Sequence, residues 1–100
     1  MDKSEILKIS KKYAMAVKKK FDCFNIILFG SFAKGTNHED SDIDIAVVIK
    51  NFDNLTNTQV ELMRIRRKID SRIEPHPFRL DDFNYSNPVA TEVLKYGIDL

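Results

Sequence analysis

The chain has 100 residues, of which 43% are hydrophobic and 31% charged, and its 16 basic and 15 acidic residues nearly cancel. This composition is typical of one small globular domain over residues 1–100 and argues against a disordered chain. No apolar stretch is long enough to cross a bilayer, and the N-terminus lacks the apolar core of a signal peptide. The single cysteine, Cys23, cannot form an internal disulfide. These features favour a cytoplasmic protein with no membrane contact.

Capping residues and apolar periodicity predict the first half of the fold. Asp2 and Glu5 match a capping box that opens a helix running to about residue 20. Strands are predicted over about 24–29 and 43–49, joined by a helix of at least one turn from Ser31 and a polar loop. One face of the first helix carries the apolar residues Ile6, Ile9, Tyr13, Val17 and Phe21.

The second half continues the alternation of helices and strands. A third helix is predicted over about 55–70 and a third strand over about 71–78. Asn87-Pro88 reads as an N-cap followed by proline at the first helical position, so a last helix runs to Tyr96 and stops at Gly97. The inward residues of the third helix are predicted to be Leu55, Leu62, Ile65 and Ile69. This alternation alone is also compatible with a doubly wound parallel sheet.

The most informative pattern joins the first two predicted strands. Gly30-Ser31 follows the first strand, and ten residues later Asp42 and Asp44 open the second. Alternate side chains of a strand share a face, so the two carboxylates project together from positions about 7 Å apart and can converge on a divalent cation. Gly30 allows close backbone approach, and the start of a helix favours a phosphate. The Ser31 hydroxyl either donates to that phosphate or caps the helix.

A third carboxylate is expected beside this pair. In the third strand, alternation puts Arg72, Glu74 and His76 on one face. Pro75 and Pro77 make this an edge strand or the end of one, because proline cannot donate to a central ladder. An edge position beside the second strand brings Glu74 near the aspartates, whereas the alternative is a surface glutamate paired with Arg72 or a lysine.

These residues resemble the signature of the DNA polymerase β-like nucleotidyltransferase superfamily. Length and layout are most similar to its minimal members, the MNT proteins, which pair with HEPN-domain proteins in prokaryotic toxin–antitoxin modules. The resemblance implies an α+β fold, ordered α-β-α-β-α-β plus a C-terminal helix, with a small mixed three-stranded sheet and helices packed on one side. It covers the chain from the first helix to about Phe78.

The resemblance also implies a site and a reaction. Asp42, Asp44 and Glu74 would be the catalytic acids and the ligands of two Mg²⁺ ions, and Glu74 would help to deprotonate the attacking hydroxyl. Gly30 and Ser31 would hold the phosphates of ATP. Lys34 either reaches those phosphates or is a solvated lysine, and the role of His76 is left open.

Three functions are compatible with this site. The first is transfer of AMP from ATP to a hydroxyl group of a partner protein. The resemblance implies that this hydroxyl belongs to a tyrosine of a HEPN toxin, and that the chain acts as an antitoxin by silencing that toxin. The second is neutralisation of such a partner by contact alone, and the third is nucleotidyl transfer to a small molecule. Because Asp42, Asp44 and Glu74 are all present, the first function, transfer of AMP to a partner protein, is favoured.

Basic residues crowd the first and third predicted helices. Such runs can attract nucleic acid, but the net charge of +1 and the lack of interleaved aromatic residues favour solvated helix faces. Direct binding of nucleic acid is therefore not expected.

Overall fold

The computed structural model describes residues 2–100, and its elements follow the predicted order. Within these residues the α-helices are α1 (Lys3–Lys18), α2 (Ser31–Lys34), α3 (Leu55–Arg67) and α4 (Pro88–Tyr96). The strands are β1 (Cys23–Phe29), β2 (Ile43–Ile49), β3 (Ile73–Arg79) and β4 (Ile98–Asp99), and a 3-10 turn (Leu80–Asp82) follows β3. The predicted α+β alternation is confirmed. No helix in this part of the chain has both the length and the apolar character needed to span a membrane.

Side-chain caps start the helices at the predicted places. The Asp2 carboxylate accepts the Glu5 N–H at 2.9 Å and opens α1. The Asn87 side chain accepts the N–H groups of Val89 and Ala90, and Pro88 occupies the first helical position of α4. These contacts satisfy N–H groups that have no partner inside a helix, so both predicted helix starts are confirmed.

The sheet is mixed and has the strand order β3-β2-β1-β4. β2 pairs antiparallel with β1 and parallel with β3, which leaves β3 at one edge as its prolines predicted. The short β4, which the sequence analysis did not predict, pairs antiparallel with Ile27 and Leu28. Gly97 ends α4 with an extended backbone, and a Cβ there would overlap both Ile27 Cγ2 and the Val93 carbonyl oxygen. A residue without a side chain therefore lets the chain turn directly from α4 into a fourth strand.

One face of the sheet is covered by α1 and α3. Side chains of β2 such as Ile43, Ile45 and Val47 are fully buried against this layer, together with Ile6, Tyr13 and Val17 of α1.

The two helices of this layer are also linked by a buried hydrogen bond. The Tyr13 hydroxyl donates to the Leu62 carbonyl at 2.9 Å. Leu62 and Ile65 of α3 are buried and Ile69, just past the end of this helix, is half-buried, so their inward positions are confirmed. Leu55 is 53% exposed, so its predicted inward position is wrong. It is the first residue of α3 and borders an open groove beside β3.

The opposite face of the sheet is covered by α4. Ala90 and Val93 of this helix pack with Ile27 and Phe29 of β1 and with further apolar side chains of β2 and β3. The prediction of helices on one side therefore holds for α1 and α3 and is incomplete for α4. Because side chains alternate along β2, Asp44 shares this second face with the buried Ala46.

The free edge of β3 is blocked against further strands. Pro75 and Pro77 offer no N–H, and side chains of α3 bind outward carbonyl groups. Gln59 donates to the Pro75 carbonyl at 3.3 Å, and Arg66 donates to the Ile73 carbonyl at 3.1 Å. This edge is therefore poorly suited to pairing with another chain.

Candidate active site

Gly30 forms the turn between β1 and α2 and leaves room for a carboxylate. Its backbone has φ 75° and ψ −153°, a conformation essentially reserved for glycine. A Cβ at this position would overlap Asp44 Oδ2 and lie 3.1 Å from Asp44 Cγ. Phe29, the last residue of β1, pairs with Asp44, which explains why the turn lies beside that side chain. The missing side chain of Gly30 thus defines where Asp44 can sit.

Ser31 is the first residue of α2 and does not cap it. Gly30 occupies the cap position, and the Ser31 hydroxyl makes no hydrogen bond with another residue in 2–100. Of the two predicted roles, capping is therefore excluded. The hydroxyl remains half-buried beside the glycine turn, where a ligand oxygen could be bound.

Two acidic residues oppose each other on the parallel strands. Asp44 of β2 and Glu74 of β3 are registered partners, so their side chains emerge side by side on the second face of the sheet. Asp42 lies just before β2, and its carboxyl is close enough to that of Glu74 to influence the pKa of Glu74. The predicted approach of Glu74 to Asp44 is confirmed. Asp42 is exposed and is not among the residues whose possible ligand atoms lie within 4.8 Å of one another, which are Asp44, Glu74 and His76.

The pKa of Glu74 is raised above its usual range. The first cause is partial removal of its carboxyl from water, and the hydrogen bond with Asp42 and the negative charges of Asp44 and Asp42 act in the same direction. Nearby His76 opposes the shift. The residue as a whole is exposed, so the shift arises mainly at the carboxyl end, where the acids are crowded together. Crowded carboxylates of this kind gain most from a bound cation.

His76 belongs to the site, although the sequence analysis left its role open. Its Nε2 lies 3.1 Å from Asp44 Oδ1, and its ring contacts Phe29 edge-on with centroids 5.0 Å apart. A carboxylate oxygen of Asp44, a carboxylate oxygen of Glu74 and a ring nitrogen of His76 all lie within 4.8 Å of one another. Carboxylate oxygens and an imidazole nitrogen are a donor set that suits a divalent cation. The sequence indicated the position of His76 through the spacing Glu74-x-His76, which puts both side chains on the same face of one strand.

Lys34 lies at the other end of α2 and contacts α4. Its Nζ is 2.6 Å from Glu92 Oε1 and 5.2 Å from the centre of the Tyr96 ring. The hydrogen bond with Glu92 raises the pKa of Lys34 above its usual range. The ion pair is more than one-third exposed, so it can open at little cost. Contact of Lys34 with phosphate stays a prediction.

A groove of about 370 Å³ extends from the acids along β3. Its walls are formed by Glu74 and His76 together with the apolar residues Leu55, Pro77 and Val89, among others. Glu74 is therefore accessible from a partly apolar cleft large enough for part of a substrate.

Comparison with known proteins gives a match to one family. The model of the nucleotidyltransferase domain matches residues 10–85, which include both the glycine–serine turn and all the acids. The first of the similar curated proteins is "Putative protein adenylyltransferase MJ1305" of Methanocaldococcus jannaschii, with 37% identity over 69% of this chain, although the match spans only 46% of that protein. A second from the same organism, "Putative protein adenylyltransferase MJ0141", is 29% identical over the full length of both chains.

Solved structures show the same fold. A crystal structure of a mutant of the toxin–antitoxin pair MntA-HpeT has a TM-score of 0.61 and 25% identity, covering 100% of this chain and 72% of that chain. A toxin–antitoxin structure with AMP-PNP has a TM-score of 0.60 at 24% identity, covering 99% and 72% of the two chains. Since the family model covers most of the chain, including every predicted site residue, the chain belongs to the nucleotidyltransferase domain family.

Proposed function

We propose that this protein transfers AMP from ATP to a hydroxyl group of a partner protein. The observation that carries the proposal is the direct opposition of Asp44 and Glu74 on paired strands, with Asp42 close to Glu74 and Gly30 packed against Asp44. Acids brought together in this way beside a glycine turn suit a nucleotide whose phosphates carry a divalent cation.

The chain's residues divide into two groups in this proposal. Asp42, Asp44 and Glu74 would hold Mg²⁺, with two ions expected, and His76 would orient Asp44 through their hydrogen bond. When bound, the ions would neutralise charge on the attacking and leaving oxygens at the α-phosphate.

The second group would hold the triphosphate. Gly30 would let a phosphate approach the backbone, and the Ser31 hydroxyl would donate to a phosphate oxygen. Lys34 would turn from Glu92 to the phosphates when ATP binds. Its long flexible side chain and exposed ion pair make this movement inexpensive.

Glu74 is the proposed general base. The acceptor hydroxyl would attack the α-phosphorus of ATP and form a new P–O bond, while the bond to the β-phosphoryl oxygen breaks and pyrophosphate leaves. The hydroxyl proton would pass to the Glu74 carboxylate, which borders the open groove from which an acceptor can approach.

The proposed partner is a HEPN-domain toxin, with this chain as its antitoxin and a tyrosine as acceptor. Relatives that carry the name protein adenylyltransferase support transfer to a protein, and a toxin–antitoxin structure of similar fold supports a toxin as partner. The accessible groove beside Glu74 supports a macromolecular acceptor better than an enclosed small-molecule site would. We place the reaction in the cytoplasm, where ATP and Mg²⁺ are available.

The test is incubation of the chain with ATP, Mg²⁺ and a candidate HEPN-domain partner, followed by intact-mass analysis. We expect the partner to gain the mass of one or more AMP groups and its toxicity to fall. An Asp42→Asn, Asp44→Asn double variant should transfer nothing, whereas an Asp81→Asn, Asp82→Asn control removes two exposed acids from the 3-10 turn and should transfer normally.

The same variants separate the alternative functions. Full neutralisation of the toxin by the Asp42, Asp44 double variant would favour an antitoxin that acts by contact alone. Transfer to a small hydroxylated molecule with no gain of mass on the partner would favour the small-molecule enzyme.

A further inference from the structure

A second cleft lies between α1 and α3, the helices that cover the face of the sheet opposite the acidic site. It is a groove of about 920 Å³, larger than the one beside Glu74. Its lining residues are Lys12, Met15, Ala16, Lys19, Lys20, Glu61, Arg64, Ile65, Arg67, Lys68 and Ile69. The proposed transfer reaction uses none of them.

Positive charge is concentrated in this groove. Six of the lining residues are basic and one is acidic, although the whole chain carries a net charge of only +1. Glu61 is shared by Lys20 at 2.8 Å and Arg64 at 3.4 Å. The other four basic residues form no ion pair within residues 2–100. Their attraction for a negative ligand is therefore not cancelled inside the protein.

The floor of the same groove is apolar. Met15 is 66% exposed, an unusual position for a large hydrophobic side chain, and Ala16, Ile65 and Ile69 lie beside it. A flexible thioether of this kind adapts well to the side chains of a partner. A ligand that matched both features would combine negative charges at the rim with apolar groups at the centre.

These features argue against several occupants. A second copy of this chain docked by a two-fold axis would bring two sets of basic residues together, which repels. Grooves that bind single-stranded nucleic acid usually combine basic residues with aromatic side chains for stacking, and no aromatic side chain lines this groove. A membrane surface needs a flat or convex apolar face, whereas this surface is concave.

We propose that the groove between α1 and α3 binds an acidic amphipathic helix of a partner protein. Its apolar stripe would lie on Met15 and Ile69, and its carboxylates would pair with the basic rim. The groove borders residues 12–20 and 61–69, of which seven on each side are helical, and this is about 10 Å of helix length and enough for two turns of a ligand helix. Binding at this groove does not depend on the transfer reaction, since the sheet separates it from the acids.

The probe for the test is a fluorescent synthetic peptide with leucines at i, i+3, i+4 and i+7, glutamates at a few of the other positions, and alanines at the rest to favour a helix. A matched glutamate peptide without leucine and a single-stranded RNA of equal charge serve as competitors. We expect the leucine peptide to bind at physiological salt at least tenfold more tightly than either competitor, measured by fluorescence anisotropy. Equal binding of both peptides, no binding, or tighter binding of the RNA would overturn the proposal, and the last would assign the groove to nucleic acid.

Two variants test the residues. Lys19→Glu, Arg67→Glu and Lys68→Glu together should weaken peptide binding at least tenfold. A control with the same change in charge, made at Lys3, Lys8 and Lys95 outside the groove, should change it less than twofold.

The apolar contribution needs a variant with no change in charge. Met15→Ser should weaken binding of the leucine peptide several-fold and leave the weak binding of the leucine-free peptide unaltered. Because Met15 is exposed, this variant is expected to fold normally, with unchanged Mg²⁺-dependent ATP binding as the check. The assigned surface would be refuted if the groove triple variant and its control lost the same amount of affinity for the leucine peptide, or if Met15→Ser did not change that affinity.

Discussion

Substitution of Gly30 by alanine tests how the turn and the acids depend on each other. The Gly30 backbone lies at φ 75°, ψ −153°, which costs a residue with a side chain about 1–3 kcal/mol. The added Cβ would also overlap Asp44 Oδ2, and moving that carboxylate adds a cost on the order of 1–3 kcal/mol. Gly35→Ala is the matched control. Gly35 has nearly the same φ of 76°, but nothing lies within 4 Å of its added Cβ. It should cost only about 1–2 kcal/mol.

The assay is urea unfolding in EDTA, so that no metal contributes to stability. Gly30→Ala should be less stable than Gly35→Ala by about 1–3 kcal/mol. In an Asp44→Ala background the difference should shrink, because the carboxylate that the new Cβ meets is gone. Gly30→Ala should also weaken Mg²⁺-dependent ATP binding, whereas Gly35→Ala should not. Equal destabilisation by the two alanines, with no coupling to Asp44, would refute the packing of Gly30 against that carboxylate.

Three further predictions concern the neighbours of Asp44. Because the folded-state pKa of Glu74 is raised, its contribution to stability is fully present below about pH 4.5 and is lost as pH rises through the folded value. Without metal, the Glu74→Gln variant should therefore be more stable than the wild type at pH 7. The gain should be about 1 kcal/mol or less, because Glu74 is exposed to solvent. Unfolding curves at pH 4 and pH 7 measure this, and an equal difference at both would contradict it. His76→Ala should weaken Mn²⁺ binding about tenfold by calorimetry, because Asp44 loses its 3.1 Å partner, and unchanged affinity would remove His76 from the site. Lys34→Ala should weaken ATP binding and Glu92→Ala should not; equal effects of the two would assign Lys34 to holding α4 alone.

The sequence was informative wherever a local rule determines the structure. Helix starts at Asp2 and Asn87 depend on side-chain caps within three residues, and both were predicted correctly. The edge position of β3 followed from Pro75 and Pro77, which cannot donate to a ladder on both sides. Placing Glu74 on that edge strand beside β2 was enough to predict its approach to Asp44.

The remaining features depend on contacts between distant parts of the chain. The two-residue β4 has too little periodicity to be recognised and forms because Gly97 directs the chain back along β1. The packing of α4 on the second face is determined by Ala90 and Val93 meeting β1, which no local pattern specifies. The bond of His76 to Asp44 likewise required the register between β2 and β3. Periodicity also failed for Leu55, because the first turn of a helix can extend past the core that buries the later turns.

The central claim is that the acids of β2 and β3 together hold a metal–nucleotide complex. The most direct measurement is the crystal structure of the chain with Mn²⁺ and a non-hydrolysable ATP analogue, with anomalous scattering to locate the ions. We predict at least one Mn²⁺ peak within bonding distance of Asp44 and Glu74, with the triphosphate against Gly30-Ser31. Nucleotide bound elsewhere, or no anomalous peak between these carboxylates at saturating Mn²⁺, would contradict the claim.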